Sequence, residues 1–86
     1  MTINKPSKAG TLESNDIYVM LMPGENGIDI DLESIVEKQF GEDIRRVIIE
    51  KLQEMGISSV IVKAQDKGAL DYTIKSRIEA AVARGL

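Results

Sequence analysis

The order and spacing of apolar residues predict an α+β domain of two layers, a small mixed β-sheet with two helices packed on one face in the order β-β-β-α-β-α. Three observations carry this reading. Ile28 to Glu33 alternates apolar and acidic side chains with a period of two, as a half-buried strand does. Val36, Phe40, Ile44, Ile48 and Leu52 then recur at every fourth residue, with Val47 and Met55 widening the stripe, which is the pattern of an amphipathic helix. The β-branched run Val60-Ile61-Val62 follows that helix and suits a strand buried within a sheet.

Taken from the amino terminus, residues 1–8 read as a flexible tail and residues 9–86 as a single domain. Gly10 to Glu13 is short and bounded by glycine, Ser14-Asn15 supplies turn formers, and Asp16 to Met22 is rich in β-formers. This predicts a hairpin with Ser14 at or beside its bend. Pro23 to Gly27 is a second turn, and Ile28 to Glu33 the next strand. Ser34-Ile35-Val36-Glu37 fits a capping box, but Gly41 would interrupt a helix begun so early, so the secure part of the first helix is Glu42 to Met55, with Gly56 as a left-handed terminator. Ser59 to Ala64 is a strand. If it lies parallel to Ile28 to Glu33, the helix between them is a right-handed crossover. Asp66-Lys67-Gly68 breaks the strand, and from Ala69 the set Leu70, Ile74, Ile78, Ala81 and Val82 marks a second helix to about Arg84.

With 86 residues the chain can close one core and no second catalytic domain. Its 43% hydrophobic and 29% charged residues are those of a soluble globular domain, and no apolar run approaches the length of a membrane span. Lys and Arg number 11 against 14 Asp and Glu, a net charge of −3 with the cations scattered, and the aromatics are only Phe40, Tyr18 and Tyr72. Nucleic acid binding needs a clustered basic footprint and stacking rings, so neither nucleic acid nor membrane is an expected partner. There is no secretory signal at the amino terminus and no cysteine for a disulfide framework, which makes the cytoplasm the simpler expectation.

The chain has neither cysteine nor histidine, so covalent chemistry must begin from a hydroxyl. A serine hydroxyl is a poor nucleophile without a base, and none of the usual kind is encoded near Ser14. Glu13 and Asp16 are the only acid/base candidates around it, and on an exposed turn neither carboxylate is desolvated enough for that work. Ser14 therefore reads as a residue that is modified rather than one that attacks, and no catalytic residue is assigned. Asp29, Asp31 and Glu33 form an acidic row that reads as a solvated sheet face, since it lacks the convergent loop of a cation site; no metal site is assigned. Asp66 to Asp71 reads as a strand-to-helix corner with Asp66 able to cap and Asp71 near a helix start; its glycine spacing is not that of a phosphate loop. Met20, Met22 and Met55 are expected in the core or at its edge.

The run Ala9-Gly10-Thr11-Leu12-Glu13-Ser14-Asn15-Asp16 resembles the amino-terminal segment of the acyl carrier protein (gamma chain) family of citrate lyase. The likeness continues at Val36-Glu37-Lys38-Gln39-Phe40-Gly41, at Asp66-Lys67-Gly68-Ala69-Leu70-Asp71 and at Arg77-Ile78-Glu79-Ala80, and so runs through most of the chain. The resemblance implies that Ser14 carries a phosphoribosyl dephospho-coenzyme A group in phosphodiester linkage, whose thiol holds acetyl and citryl thioesters while citrate is cleaved to acetate and oxaloacetate. It implies a carrier that is not an enzyme by itself, working with an alpha subunit (acyl transferase), a beta subunit (citryl lyase) and a prosthetic-group transferase, with Glu13, Asn15 and Asp16 recognised around the site. The Asp-Ser-Leu motif of the helical fatty-acid carriers is absent. Two other readings remain at this point. One is the acyl carrier subunit of malonate decarboxylase, against which stand the Gly-Thr-Leu-Glu-Ser and Asp-Lys-Gly-Ala-Leu-Asp segments. The other is a ferredoxin-like ligand-binding or adaptor domain, which would carry no covalent group.

Overall fold

A computed structural model of the chain describes residues 1–86, with the backbone alone for Glu37 and Lys38. Among the described residues the elements are β1 (Ser7–Gly10), β2 (Ile17–Met22), β3 (Ile28–Ser34), α1 (Glu37–Glu54), β4 (Val60–Asp66) and α2 (Asp71–Gly85). The sheet order is β1-β2-β4-β3. β1 with β2 and β2 with β4 are antiparallel, and β3 with β4 is parallel, so the sheet is mixed and α1 is the crossover that a parallel pair requires.

The pleat sorts the sheet into two faces. Ala9, Val19, Ala64 and Leu32 lie opposite one another across all four strands, and all are buried. One residue along, the row Lys8, Met20, Lys63 and Asp31 is exposed throughout. A period of two along each strand produces this, and it leaves only the first face for the helices. α1 buries Ile44, Val47, Ile48 and Leu52, and α2 buries Ile74, Ile78, Ala81 and Val82; these join the inward strand residues in one apolar cluster. Asp29, Asp31 and Glu33 are exposed, as the alternation in β3 requires.

Several boundaries and placements differ from the sequence reading. The first strand is Ser7–Gly10 rather than Gly10 to Glu13, and the segment expected to be a free tail is docked. Ile3 is only 1% exposed, Asn4 and Lys5 donate their N–H groups to the Gly85 carbonyl at 2.8 and 3.2 Å, and the Ser7 hydroxyl donates to the Ala81 carbonyl at 2.7 Å. One isoleucine in a polar stretch leaves no period to detect, yet its burial holds the segment against the end of α2.

Helix α1 begins at Glu37, not at Glu42, and Gly41 lies buried inside it. A glycine interior to a helix costs about 1 kcal/mol, which packing outweighs. Ser34 is not the cap residue: its hydroxyl accepts the Val36 N–H at 3.1 Å and donates to Asp66 Oδ2 at 2.9 Å, and Val36 occupies the cap position without a side-chain bond, while the Glu37 side chain of the expected capping box lies outside the described residues. Gly56 takes the expected left-handed conformation, with φ +76°. β4 runs on to Asp66, and α2 starts at Asp71. Phe40 and Leu70, assigned by period to apolar stripes, are 50% and 60% exposed, and Met20 sits on the open sheet face. No helix among the described residues is long and apolar enough to cross a membrane.

Candidate functional site

Ser14 lies between β1 and β2, in a loop built residue by residue to protrude. Gly10 ends β1 at φ +89°, where a Cβ would stand 1.8 Å from the Ile17 carbonyl oxygen, so only glycine closes the neck of the hairpin. The Thr11 hydroxyl then accepts the Glu13 N–H at 3.2 Å and donates to Asp16 Oδ2 at 2.7 Å. Glu13 to Asp16 forms a four-residue turn closed by the Asp16 N–H donating to the Glu13 carbonyl at 3.2 Å. Asn15 takes φ +66° at its third position, as a type II turn requires and as asparagine tolerates better than most residues. Ser14 occupies the outer position of that turn and is exposed, and among the described residues nothing hydrogen-bonds its hydroxyl.

The turn is held from below on two sides. On one, Asn15 donates its N–H to the Lys67 carbonyl and Lys67 donates its N–H to the Asp16 carbonyl, both at 2.8 Å, which ties the loop to the corner between β4 and α2. That corner is itself organised by Asp66, only 2% exposed: Oδ1 accepts the Ala69 N–H at 3.0 Å, and Oδ2 accepts the Gly68 N–H at 3.1 Å and the Ser34 hydroxyl at 2.9 Å. On the other side, Arg77 of α2 reaches Asp16 with both ends of its guanidinium, Nε to Oδ1 at 3.0 Å and Nη2 to Oδ2 at 2.8 Å. The Ile17 N–H adds a further bond to Asp16 Oδ1 at 2.7 Å. Hydrogen bonding from Arg77, followed by that from Thr11 and Ile17, outweighs the burial of the Asp16 carboxyl and holds its pKa down from 3.8 to about 2.

Glu13, Ser14 and Asn15 thus share one exposed bend, where the sequence placed them. Asp16 does not join them: expected on the exposed turn, it is 8% exposed and its carboxylate is engaged inward. Local turn propensity could not show this, because the partner that draws Asp16 inward is 61 residues away. Thr11, Lys67 and Arg77 were not singled out in advance as supports of the turn. Each nonetheless falls within one of the segments that carry the family resemblance, which was the available signal. Chemically, the arrangement presents a hydroxyl and does not activate it. A carboxylate with a pKa of about 2, committed to a guanidinium, is no general base for Ser14. An exposed, unbonded hydroxyl on an anchored turn is suited to carrying a covalent group, since a bulky substituent there meets no packed neighbour.

Comparison with known proteins gives a consistent family. A family model described as malonate decarboxylase delta subunit (MdcD) matches residues 4–85. The chain is 56% identical over 86 residues to the citrate lyase acyl carrier protein of Lactiplantibacillus plantarum, covering 100% of this chain and 90% of the relative. It is 46% identical over 84 residues to that of Halothermothrix orenii, covering 98% and 89%, and 55% identical over 84 residues to that of Streptococcus uberis, covering 98% and 83%. Among solved structures, a chain in the crystal structure of a Pseudomonas malonate decarboxylase hetero-tetramer in complex with malonate superposes with a TM-score of 0.73 at 19% identity, covering 98% of this chain and 91% of that one. That likeness shows the shared α+β fold.

Proposed function

This chain belongs to the citrate lyase acyl carrier protein family, and from that premise we propose that Ser14 is the point at which it carries phosphoribosyl dephospho-coenzyme A, in phosphodiester linkage, as the acyl carrier subunit of a citrate lyase complex. An acyl carrier of this family implies a covalently attached prosthetic group and a multi-subunit assembly. The observation that supports Ser14 in particular is its placement: an exposed hydroxyl without a hydrogen-bond partner among the described residues, at the tip of a turn anchored through Asp16 and Asn15.

The group would supply the thiol that a chain without cysteine lacks. What the chain's own residues do is structural. Gly10, Thr11, Asp16 and Arg77 fix the turn, and the Asp66 corner holds it from the side. The short exposed stretch Leu12 to Asn15 is left open to enzymes that approach in turn. A tether rooted at a fixed point keeps its acyl cargo at high effective concentration for successive active sites. Glu13 and Asn15 flank the hydroxyl on the surface and are the residues that a prosthetic-group transferase would read. Asp16, its carboxylate turned inward to Arg77, Thr11 and the Ile17 N–H, would act by holding the turn rather than by being read. The expected partners are the alpha (acyl transferase) and beta (citryl lyase) subunits, in the cytoplasm, with cleavage of citrate to acetate and oxaloacetate belonging to the complex.

The malonate decarboxylase reading draws on the matching family model and the shared fold, but the full-length identities of 46% and 56% are to citrate lyase carriers, against 19% to the malonate decarboxylase chain. Reconstitution separates them. A complex assembled with matured wild-type carrier turns over citrate and not malonate, and one assembled with Ser14→Ala turns over neither. Turnover of malonate alone, or unimpaired activity of the Ser14→Ala complex, would overturn this reading.

A further inference from the structure

Beside the Ser14 turn an open groove of about 440 Å³ runs between the first turns of α1 and α2, lined by Phe40, Ile44, Leu70 and Ile74 among others. It begins next to the turn itself. A Cβ placed on Gly68, in the groove wall, would meet Asn15 Oδ1 at 3.7 Å on one side and Ile35 Cδ1 at 3.8 Å on the other. The helix stripes explain why the groove is apolar: Ile44 and Ile74 are buried, while Phe40 and Leu70, one turn earlier on each stripe, are 50% and 60% exposed. Ile35, whose Cδ1 lies beside Gly68 in the groove wall, adds a further apolar side chain that is 68% exposed. Large apolar side chains gathered on one surface mark an interaction site far better than the same residues scattered singly.

The charged residues of the groove indicate what covers it. Among the described lining residues Asp43 and Asp71 outnumber one cation, Arg46, which is itself shared between Glu50 at 3.1 Å and Asp43 at 3.7 Å. Asp66, also in the lining, is committed to its corner. On a chain of net charge −3, this is an apolar slot with an acidic lip. Its complement is an apolar side chain flanked by lysine or arginine.

We propose that this groove is the docking surface for a partner enzyme of the carrier, which inserts an apolar side chain flanked by basic residues and so seats itself against the root of the arm at Ser14. The proposal rests on the reading of Ser14 as the attachment point and adds the surface by which the partner is held. Docking at the root leaves the length of the tether free to enter the partner's active site.

The test titrates matured carrier into purified citrate lyase alpha and beta subunits at low and high salt. It compares wild type with Phe40→Ser, Leu70→Ser, the double variant Asp43→Lys with Asp71→Lys, and Asp31→Lys on the open sheet face, each first shown to unfold cooperatively. The groove variants weaken binding to at least one subunit about tenfold or more. The charge-reversed variant also loses the salt dependence of the wild type, and Asp31→Lys binds as wild type does. Ser14→Ala, which carries no arm, keeps groove-dependent binding, and so the docking claim stands or falls separately from the attachment claim, which intact mass decides. Four results would overturn the docking claim. They are wild-type affinity of every groove variant, complete loss of binding in Ser14→Ala, a carrier dimer in sedimentation that the groove variants dissolve, and Phe40 and Leu70 resonances that shift on maturation with no partner present, which would make the arm itself the occupant.

Discussion

Arg77 and Asp16, 61 residues apart in sequence, meet through paired bonds of 3.0 and 2.8 Å, and so fasten the base of the Ser14 turn to helix α2. The Asp16 carboxylate is nearly buried and Arg77 is partly open to solvent. Removing the cation therefore leaves a shielded anion without its main partner, a loss larger than that of a surface ion pair. Arg77→Ala is expected to lower the free energy of unfolding by about 2–3 kcal/mol in urea denaturation. Arg77→Lys recovers only part of this, because an ammonium cannot reproduce the two-pronged geometry. A variant within about 0.5 kcal/mol of wild type would show that the pair does not hold the turn.

The same pair sets an acid response. The Asp16 pKa lies at about 2 in the folded chain, below the ordinary 3.8, chiefly because of Arg77. A depressed carboxylate contributes its stability above the unfolded value and loses it as pH falls through the folded value. The contribution, about 2 kcal/mol, is thus complete above roughly pH 4 and fades toward pH 2. Carboxyl resonances followed by NMR should show Asp16 titrating well below the ordinary value of 3.8, and most of the displacement should be lost in Arg77→Ala. Titration of Asp16 at its ordinary value in the wild type would contradict the geometry.

Two glycines with similar backbone angles should behave differently. Gly10 and Gly27 both have positive φ, +89° and +83°, but a Cβ at Gly10 lands 1.8 Å from the Ile17 carbonyl oxygen, and one at Gly27 meets nothing within 4 Å. Gly27→Ala should cost about 1 kcal/mol, from the left-handed conformation alone. Gly10→Ala adds a backbone collision and should cost at least about 3 kcal/mol, or fail to fold. Equal destabilisation of the two would mean that the hairpin neck is not as tight as described.

Asp66 accepts from Gly68, Ala69 and Ser34 at 3.1, 3.0 and 2.9 Å, and the corner it shapes offers the Lys67 carbonyl to Asn15. Asp66→Ala leaves these partly buried donors without their acceptor and should destabilise by about 2 kcal/mol. Hydrogen exchange gives a more local readout. The Asn15 amide should lose protection in this variant out of proportion to amides in β2, since the turn loses its lateral support. Uniform loss across the sheet would assign Asp66 to global stability alone.

The parts of this architecture that were legible in the sequence are those whose cause is local. Alternation in Ile28 to Glu33, the four-residue period from Val36 and the β-branched Val60 to Val62 each follow from one element facing one core. The exposed bend at Ser14 likewise follows from neighbouring turn formers. What was not legible depends on distant partners. Ile3 carries no period, and its burial is fixed by the end of α2. Gly41 looked like an interruption because its packing is tertiary. Asp16 looked like a surface residue because Arg77 enters from another helix. Phe40 and Leu70 obeyed the helical period but lie beyond the edge of the core, where a repeat cannot distinguish a buried face from one left open for a partner.

The most direct test of the account is the mass of the peptide that contains Ser14, taken from carrier purified out of an organism that makes it together with its modifying enzymes. This peptide is expected to carry the added mass of phosphoribosyl dephospho-coenzyme A, localised by fragmentation to the Ser14 oxygen. A bare Ser14 in catalytically active complex, or the same group found on another residue, would contradict it.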